Sequence, residues 1–180
     1  MRGALILTLL VAAPVEGQQA AAPATTGPFA EFSRSALSMR DSVVARARSQ
    51  IGRPYRFGGR SPERGFDCSG FVQFVLAAFE LDVPRTAAQQ AAVGLAVDRD
   101  TSRLRPGDLL TFGDGKRISH IGIYVGNGRY VHASSKAGRV VESRINRRAA
   151  RVKPWRGARR LLALNDADAP PVPVVAAAGQ

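Results

Sequence analysis

Cys68 is the single cysteine of this 180-residue chain, and His120 and His132 are its two histidines. A thiol with no cysteine to pair with is a small buried hydrophobe, an intermolecular link or a reactive group. Its surroundings favour the last. Cys68 stands in Phe66-Asp67-Cys68-Ser69-Gly70, directly before a run in which Phe71, Val72, Val75, Leu76 and Phe79 recur at helical spacing. The spacing predicts a helix from Cys68 to Glu80 with Asp67 as its N-cap. A thiol in the first helical turn meets the partial positive charge of unpaired N–H groups. That field and a nearby imidazolium are both expected to lower its pKa from the ordinary value of about 8.5. Cys68, His120 and His132 then supply, in chain order, a nucleophile, a general base and a group that orients the base. Tyr55, in the loop ahead of the nucleophile, and the backbone N–H of Cys68 are candidate donors to a developing oxyanion.

A hairpin must position the histidines. Ile121, Ile123 and Val125 alternate ahead of Gly126-Asn127-Gly128, and Tyr130 to Ala133 follow, so residues 119–134 read as two antiparallel strands. Register decides whether the imidazoles meet. A two-residue turn at Asn127-Gly128 would set Ile123 opposite His132 and put the histidines on opposite faces. A three-residue loop, Gly126-Asn127-Gly128, with a bulge sets Gly122 opposite His132. His120 then becomes a diagonal neighbour on the same face, roughly 7 Å away. The three-residue loop is expected.

The other elements follow from pattern. Val43, Val44, Ala47 and Ile51 share one helical face, and Gly52 and Pro54 end that helix. A short helix is predicted over Thr86 to Val93. Arg105-Pro106-Gly107-Asp108 is a turn that launches a strand from Leu109 to Phe112. Further strands are predicted over Val140 to Ser143 and Arg159 to Ala163. Helices come first and strands later, which implies an α+β domain with N-terminal helices packed on a sheet.

Apolar residues make up 45% of the chain, enough for one core, which places a single domain at residues 37–165. Met1-Arg2, the apolar stretch Ala4 to Ala13 and the small residues around Val15-Glu16-Gly17 read as a signal peptide over residues 1–17, so the protein is expected to be exported. Residues 18–36 read as a disordered linker and 166–180 as a disordered tail. No apolar stretch reaches the roughly 18 residues needed to span a bilayer. The net charge is +12, and Arg139 to Arg160 holds nine Lys or Arg against the single acid Glu142. Such a segment attracts polyanions, and in an exported protein these are envelope polymers or an anionic membrane surface. No aromatic stacking platform accompanies the charge, so nucleic acid is not expected.

Six blocks carry a resemblance. They are Gln50-Ile51-Gly52-Arg53-Pro54-Tyr55-Arg56-Phe57-Gly58-Gly59, Phe66-Asp67-Cys68-Ser69-Gly70-Phe71-Val72, Pro84-Arg85-Thr86 with Gln89 or Gln90, Arg105-Pro106-Gly107-Asp108-Leu109, Ser119-His120-Ile121-Gly122-Ile123-Tyr124-Val125-Gly126, and His132-Ala133-Ser134. In this order and spacing they resemble the NlpC/p60 family of bacterial cell-wall cysteine peptidases. The resemblance spans roughly residues 38 to 163. It implies a papain-like α+β fold with a central antiparallel sheet. It also implies hydrolysis of peptidoglycan stem peptides, usually between γ-D-glutamate and a diamino acid such as meso-diaminopimelate. Carried over by position, Cys68 is the nucleophile, His120 the base, His132 the third polar residue and Tyr55 the tyrosine near the oxyanion. Asp67, Ser69 and Arg85 match positions that look like substrate contacts. Phe57 stands where tryptophan is common. No cofactor or metal is implied, and the domain is expected to act as a monomer. The rival readings are an amidase or transpeptidase using the same triad, a non-catalytic wall-binding domain, and a metal site on Cys68, His120 and His132. The last lacks the close ligand spacing of structural zinc sites.

Overall fold

The computed structural model describes residues 28–114, 117–145 and 153–162. The expected signal peptide, residues 18–27 of the expected linker and the tail at 166–180 lie outside the described residues, as do residues 146–152 of the basic segment.

Helix α1 (Pro28–Ser49) starts earlier than its apolar face suggests. Residues 28–36, expected as linker, continue it: proline is favoured at the first helical position, and no glycine or proline follows before Gly52. A two-stranded ribbon comes next, β1 (Arg60–Ser61) and β2 (Gly65–Phe66). Helix α2 (Cys68–Ala77) begins at the residue the sequence predicts, with Asp67 as its N-cap. It ends three residues early because the chain turns through Glu80 at a φ of 59°, a conformation no helix continues. Helix α3 is only Ala87–Gln90, closed by a capping box between Thr86 and Gln89.

The rest is sheet: β3 (Leu95–Val97), β4 (Leu109–Asp114), β5 (Arg117–Gly126), β6 (Arg129–Ser134), β7 (Arg139–Arg144) and β8 (Trp155–Arg160). All pairings are antiparallel, in the order β3-β8-β4-β5-β6-β7. The last strand lies four residues earlier than predicted, and the short strand β3 was not foreseen, since three residues carry no readable period. The chain before α2 covers the β7 side of the sheet: Gly52 N–H donates to Val140 O, Val140 N–H to Arg53 O, and Tyr55 N–H to Gly138 O.

Strand alternation divides the core. Leu109, Ile121, Ile123, Val131, Ala133 and Val140 face the helices and pack with Val43, Ala47, Phe71, Val72, Val75 and Leu76. Leu110, Phe112, Tyr124, Tyr130 and Ala158 form a second cluster on the other face. Just before β4 Asp108, fully buried, takes a two-pronged contact at 2.9 Å from Arg160 on the neighbouring strand β8 and caps the turn at Arg105. Arg160, counted in the basic segment by sequence, is thus spent on an internal ion pair.

The β5–β6 hairpin corrects one expectation and keeps its consequence. The turn is the two-residue Asn127-Gly128, with φ of 52° and 68°, as a type I′ turn requires. Gly126 pairs with Arg129, and a register shift between Tyr124 and Gly126 follows. That bulge moves the ladder by one residue, so Tyr124 faces Tyr130 and Ile123 faces Val131. Continued along the ladder, the register sets Gly122 opposite His132. The shift attributed to a longer loop is made by a bulge beside a tight turn.

Candidate active site

His120 and His132 share the sheet face away from the helices, and their rings meet there. His120 Nε2 lies 2.7 Å from His132 Nδ1, and His132 Nε2 lies 3.1 Å from Ser143 Oγ on β7. Gly122 makes this possible. A Cβ at that position would come within 2.9 Å of His132 Cβ and 2.8 Å of the Tyr130 ring, so any side chain there would push the rings apart. Tyr130 stacks on His132 with centroids 4.6 Å apart, and Phe112 flanks His120 at 5.9 Å.

The chain of contacts fixes the tautomer of each ring once the role of His120 Nδ1 is set. If His120 is to accept a proton at Nδ1, its hydrogen must sit on Nε2, where it donates to His132 Nδ1. His132 then carries its hydrogen on Nε2 and donates to Ser143 Oγ. Burial pushes the imidazolium of His120 down to about 4, with Lys153 adding to the shift. Burial pushes His132 down to about 3, helped by its neighbour His120. Both rings are therefore neutral through the ordinary working range of pH.

Cys68 approaches from α2. A cleft of about 510 Å³ is lined by Cys68 and Tyr55 on one side and by Phe112, His120, His132 and Ser143 on the other. The sequence argument expects a lowered thiol pKa, and the structure corrects it. Burial pushes the Cys68 thiol up, and the backbone N–H groups of Ile121, Ser69 and Cys68 offset this only in part. Removing the thiol from water outweighs the N–H groups at the helix start, and the neutral imidazoles lining the same cleft offer no positive charge. At neutral pH the cleft thus holds a thiol and neutral imidazoles in one lining. Tyr55 also lines the cleft, and burial followed by the proximity of Cys68 and Asp67 raises its hydroxyl pKa, keeping it a donor.

Asp67, Ser69 and Arg85 are brought together next to Cys68 in the chain fold, outside the lining of that cleft. Arg85 donates to Asp67 at 2.6 and 3.1 Å and to Ser69 Oγ at 2.9 Å. Asp67 also accepts from Gly70 N–H at 2.7 Å and Gly58 N–H at 3.0 Å. Burial of Asp67 would raise its pKa, but Arg85 and these N–H groups outweigh that and hold the carboxylate below its ordinary value. One side chain thus caps α2, anchors the Phe57-Gly58-Gly59 loop and orients Arg85. Phe57 itself is 90% exposed.

Sequence reasoning missed Ser143 and Lys136 and counted Arg144 and Lys153 only in a basic surface segment, yet all four line the cleft. Ser143 stands on the same strand face as Val141, which pairs directly with His132. Period-two alternation from that pairing is the signal that would have found it.

Comparison with known proteins agrees with this geometry. A profile of the NlpC/P60 family matches residues 52–159. The chain is 42% identical over 109 residues to the probable endopeptidase NlpC of Escherichia coli, covering 57% of this chain and 69% of that protein. It is 47% identical over 95 residues to gamma-DL-glutamyl hydrolase of Bacillus subtilis, covering 51% of this chain but 22% of that longer protein. Among solved structures, the peptidoglycan hydrolase RipB of Mycobacterium tuberculosis superposes with a TM-score of 0.59 at 33% identity, covering 74% of this chain and 71% of RipB. With more than half its length matched by the profile, an α+β fold in common with these structures and the histidine pair facing the cysteine cleft, this chain belongs to the NlpC/P60 family.

Proposed function

We propose that the protein is an exported cysteine endopeptidase that hydrolyses peptidoglycan stem peptides at the bond between γ-D-glutamate and the diamino acid. The observation that carries this reading is the relay from Ser143 through His132 to His120, ending in the cleft that also holds Cys68. A relay that ends in a cleft shared with a thiol suits acyl transfer. The names of the relatives point to glutamyl and peptidoglycan bonds. The amino-terminal export signature supplies the compartment in which that polymer lies.

In this mechanism His120 Nδ1 takes the Cys68 proton as Sγ bonds to the scissile carbonyl carbon. The carbonyl oxygen becomes an oxyanion, held by the Tyr55 hydroxyl and the Cys68 N–H. His120 returns the proton to the leaving nitrogen, and the C–N bond breaks. Water then attacks the thioester while His120 takes its proton, and the thiol departs. His132 holds the tautomer of His120 throughout. Burial of both charges serves this cycle, since imidazolium and thiolate or oxyanion form together and offset each other in a place where neither is stable alone. Asp67, Ser69 and Arg85 are assigned to the acyl-donor side of the substrate, with Arg85 preoriented by the Asp67 carboxylate. The exposed part of the basic segment is assigned to an anionic wall polymer or membrane surface.

The test is a digest of purified muropeptides with the mature protein and with its Cys68→Ala variant, read by mass spectrometry. Products split between D-glutamate and the diamino acid, absent with the variant, are expected. Cleavage at the glycan–peptide junction would replace the endopeptidase by an amidase, and no Cys68-dependent product would overturn the enzymatic reading.

A further inference from the structure

The histidine side of the cleft is cationic. Lys136, on the turn between β6 and β7, Arg144, at the end of β7, and Lys153, just before β8, all line it and are exposed. Among the described residues of that lining there is no carboxylate. Of the three, Lys153 is the one held in place: its Nζ donates to Ser119 Oγ at 2.6 Å, and Ser119 immediately precedes His120. After burial, its charge is the second cause that lowers the pKa of His120.

Position gives this charge a meaning. His120 delivers a proton to the leaving nitrogen. In an amino acid leaving group that nitrogen and a carboxyl group share one carbon, so the carboxyl carbon lies about 2.5 Å from the nitrogen by standard bond lengths. A diamino diacid carries a second carboxyl at its far end. The leaving group must therefore lay a carboxyl on the His120 side of the cleft, where the cations converge. A carboxylate there gains charge-assisted hydrogen bonds, whereas a carboxamide gains none and leaves the cations unneutralised.

We infer that Lys153, with Lys136 and Arg144, forms a carboxylate-binding wall that selects leaving groups carrying free carboxylates over amidated ones. This rests on the endopeptidase reading for the identity of the ligand, but it concerns charge recognition and can be read by binding alone. Lys153 acts on the substrate directly and sets specificity.

The experiment titrates the Cys68→Ala protein, which cannot turn over, with two synthetic peptides, by calorimetry. Both are L-alanyl-γ-D-glutamyl-diaminopimelate; in one the diaminopimelate carboxyls are free and in the other both are carboxamides. The free-acid peptide is expected to bind at least about 10-fold more tightly, the range of one close charge pair. The preference should shrink severalfold in the Cys68→Ala, Lys153→Gln protein and weaken as salt is raised. Circular dichroism of both proteins checks that the fold is kept. Equal affinity for the two peptides, a preference that survives Lys153→Gln, or binding of neither peptide overturns the inference. A charge preference in binding together with no cleavage of either peptide by the Cys68-bearing protein would overturn the endopeptidase reading and leave the carboxylate wall standing.

Discussion

At the scale of single residues, each member of the relay has its own expected cost. Cys68→Ala should remove turnover, since no other thiol lines the cleft among the described residues and its serines and lysines lack the ready acidity of a thiol. His132→Ala should lower kcat/KM by about 10²-fold, because the ring orients the base and does not itself move a proton. His132→Asn should recover part of that loss, since an amide oxygen still accepts from His120 Nε2–H. Steady-state kinetics on one stem peptide separates the variants, and full activity in His132→Ala would break the relay assignment. Ser143→Ala should cost less than His132→Ala. The pH profile is a second check. Burial holds His120 down to about 4, so its base form persists well below the ordinary imidazole range. The acid limb of kcat/KM is expected nearer pH 4 than 6.5, and a limb at 6.5 would mean the ring is solvated. The sequence read Cys68, His120 and His132 as one constellation, because rare residue types at strand and helix starts are visible without coordinates. It expected a lowered thiol pKa, because the helix-end field is a local property. It could not include burial, which pushed the thiol the other way and depends on what else packs over Cys68.

At the scale of elements, the β5–β6 hairpin sets the geometry. Gly122→Ala would put a methyl within 2.9 Å of His132 Cβ and the Val131 carbonyl, which backbone cannot cheaply yield. The variant should lose about 1–3 kcal/mol of stability, as overpacked sites do. It should also lose activity beyond what that stability loss explains; a chemical denaturation curve and a rate at a temperature well below unfolding separate the two. The register was legible from parity, since only one alignment brings both imidazoles to one face. The device that produces it was not: a two-residue turn plus a bulge and a three-residue loop leave the same signature of Gly, Asn and Gly in the sequence. Likewise β3 and the early start of α1 carry too little apolar period to be read, and form because β8 and the helix itself continue into them.

At the scale of the whole molecule, a buried ion pair ties the start of β4 to the end of β8. Asp108 is fully buried against Arg160, which is 12% exposed at its side chain. Asp108→Asn leaves a buried guanidinium with a neutral partner and should cost on the order of 3 kcal/mol, measured by urea denaturation. Stability should also fall in acid. The two histidines have folded-state pKa values depressed to about 4 and about 3, below the ordinary 6.5. Their neutral burial is therefore costless above 6.5. As pH falls from there towards 4 the unfolded chain gains protons that the folded one refuses. The loss approaches about 1.4 kcal/mol per pH unit for each ring. Asp67, depressed by Arg85, adds a loss of the same sign at still lower pH. Thermal melts from pH 7 to 4 should show a falling midpoint, and replacing His132 by Gln should flatten it; a midpoint that is level over this range would mean that the rings are not buried. The sequence by itself determined the class of fold and the family, and singled out Cys68, His120 and His132 as one constellation, because these depend on residue type, order and local period. Tertiary structure alone decided that Ser143 completes the relay, that Asp67, Ser69 and Arg85 form one hydrogen-bonded cluster, and that Lys136, Arg144 and Lys153 meet in one cleft. The physical reason is that burial and proximity between elements far apart in the chain depend on how strands pair and layers pack, and no local pattern encodes them.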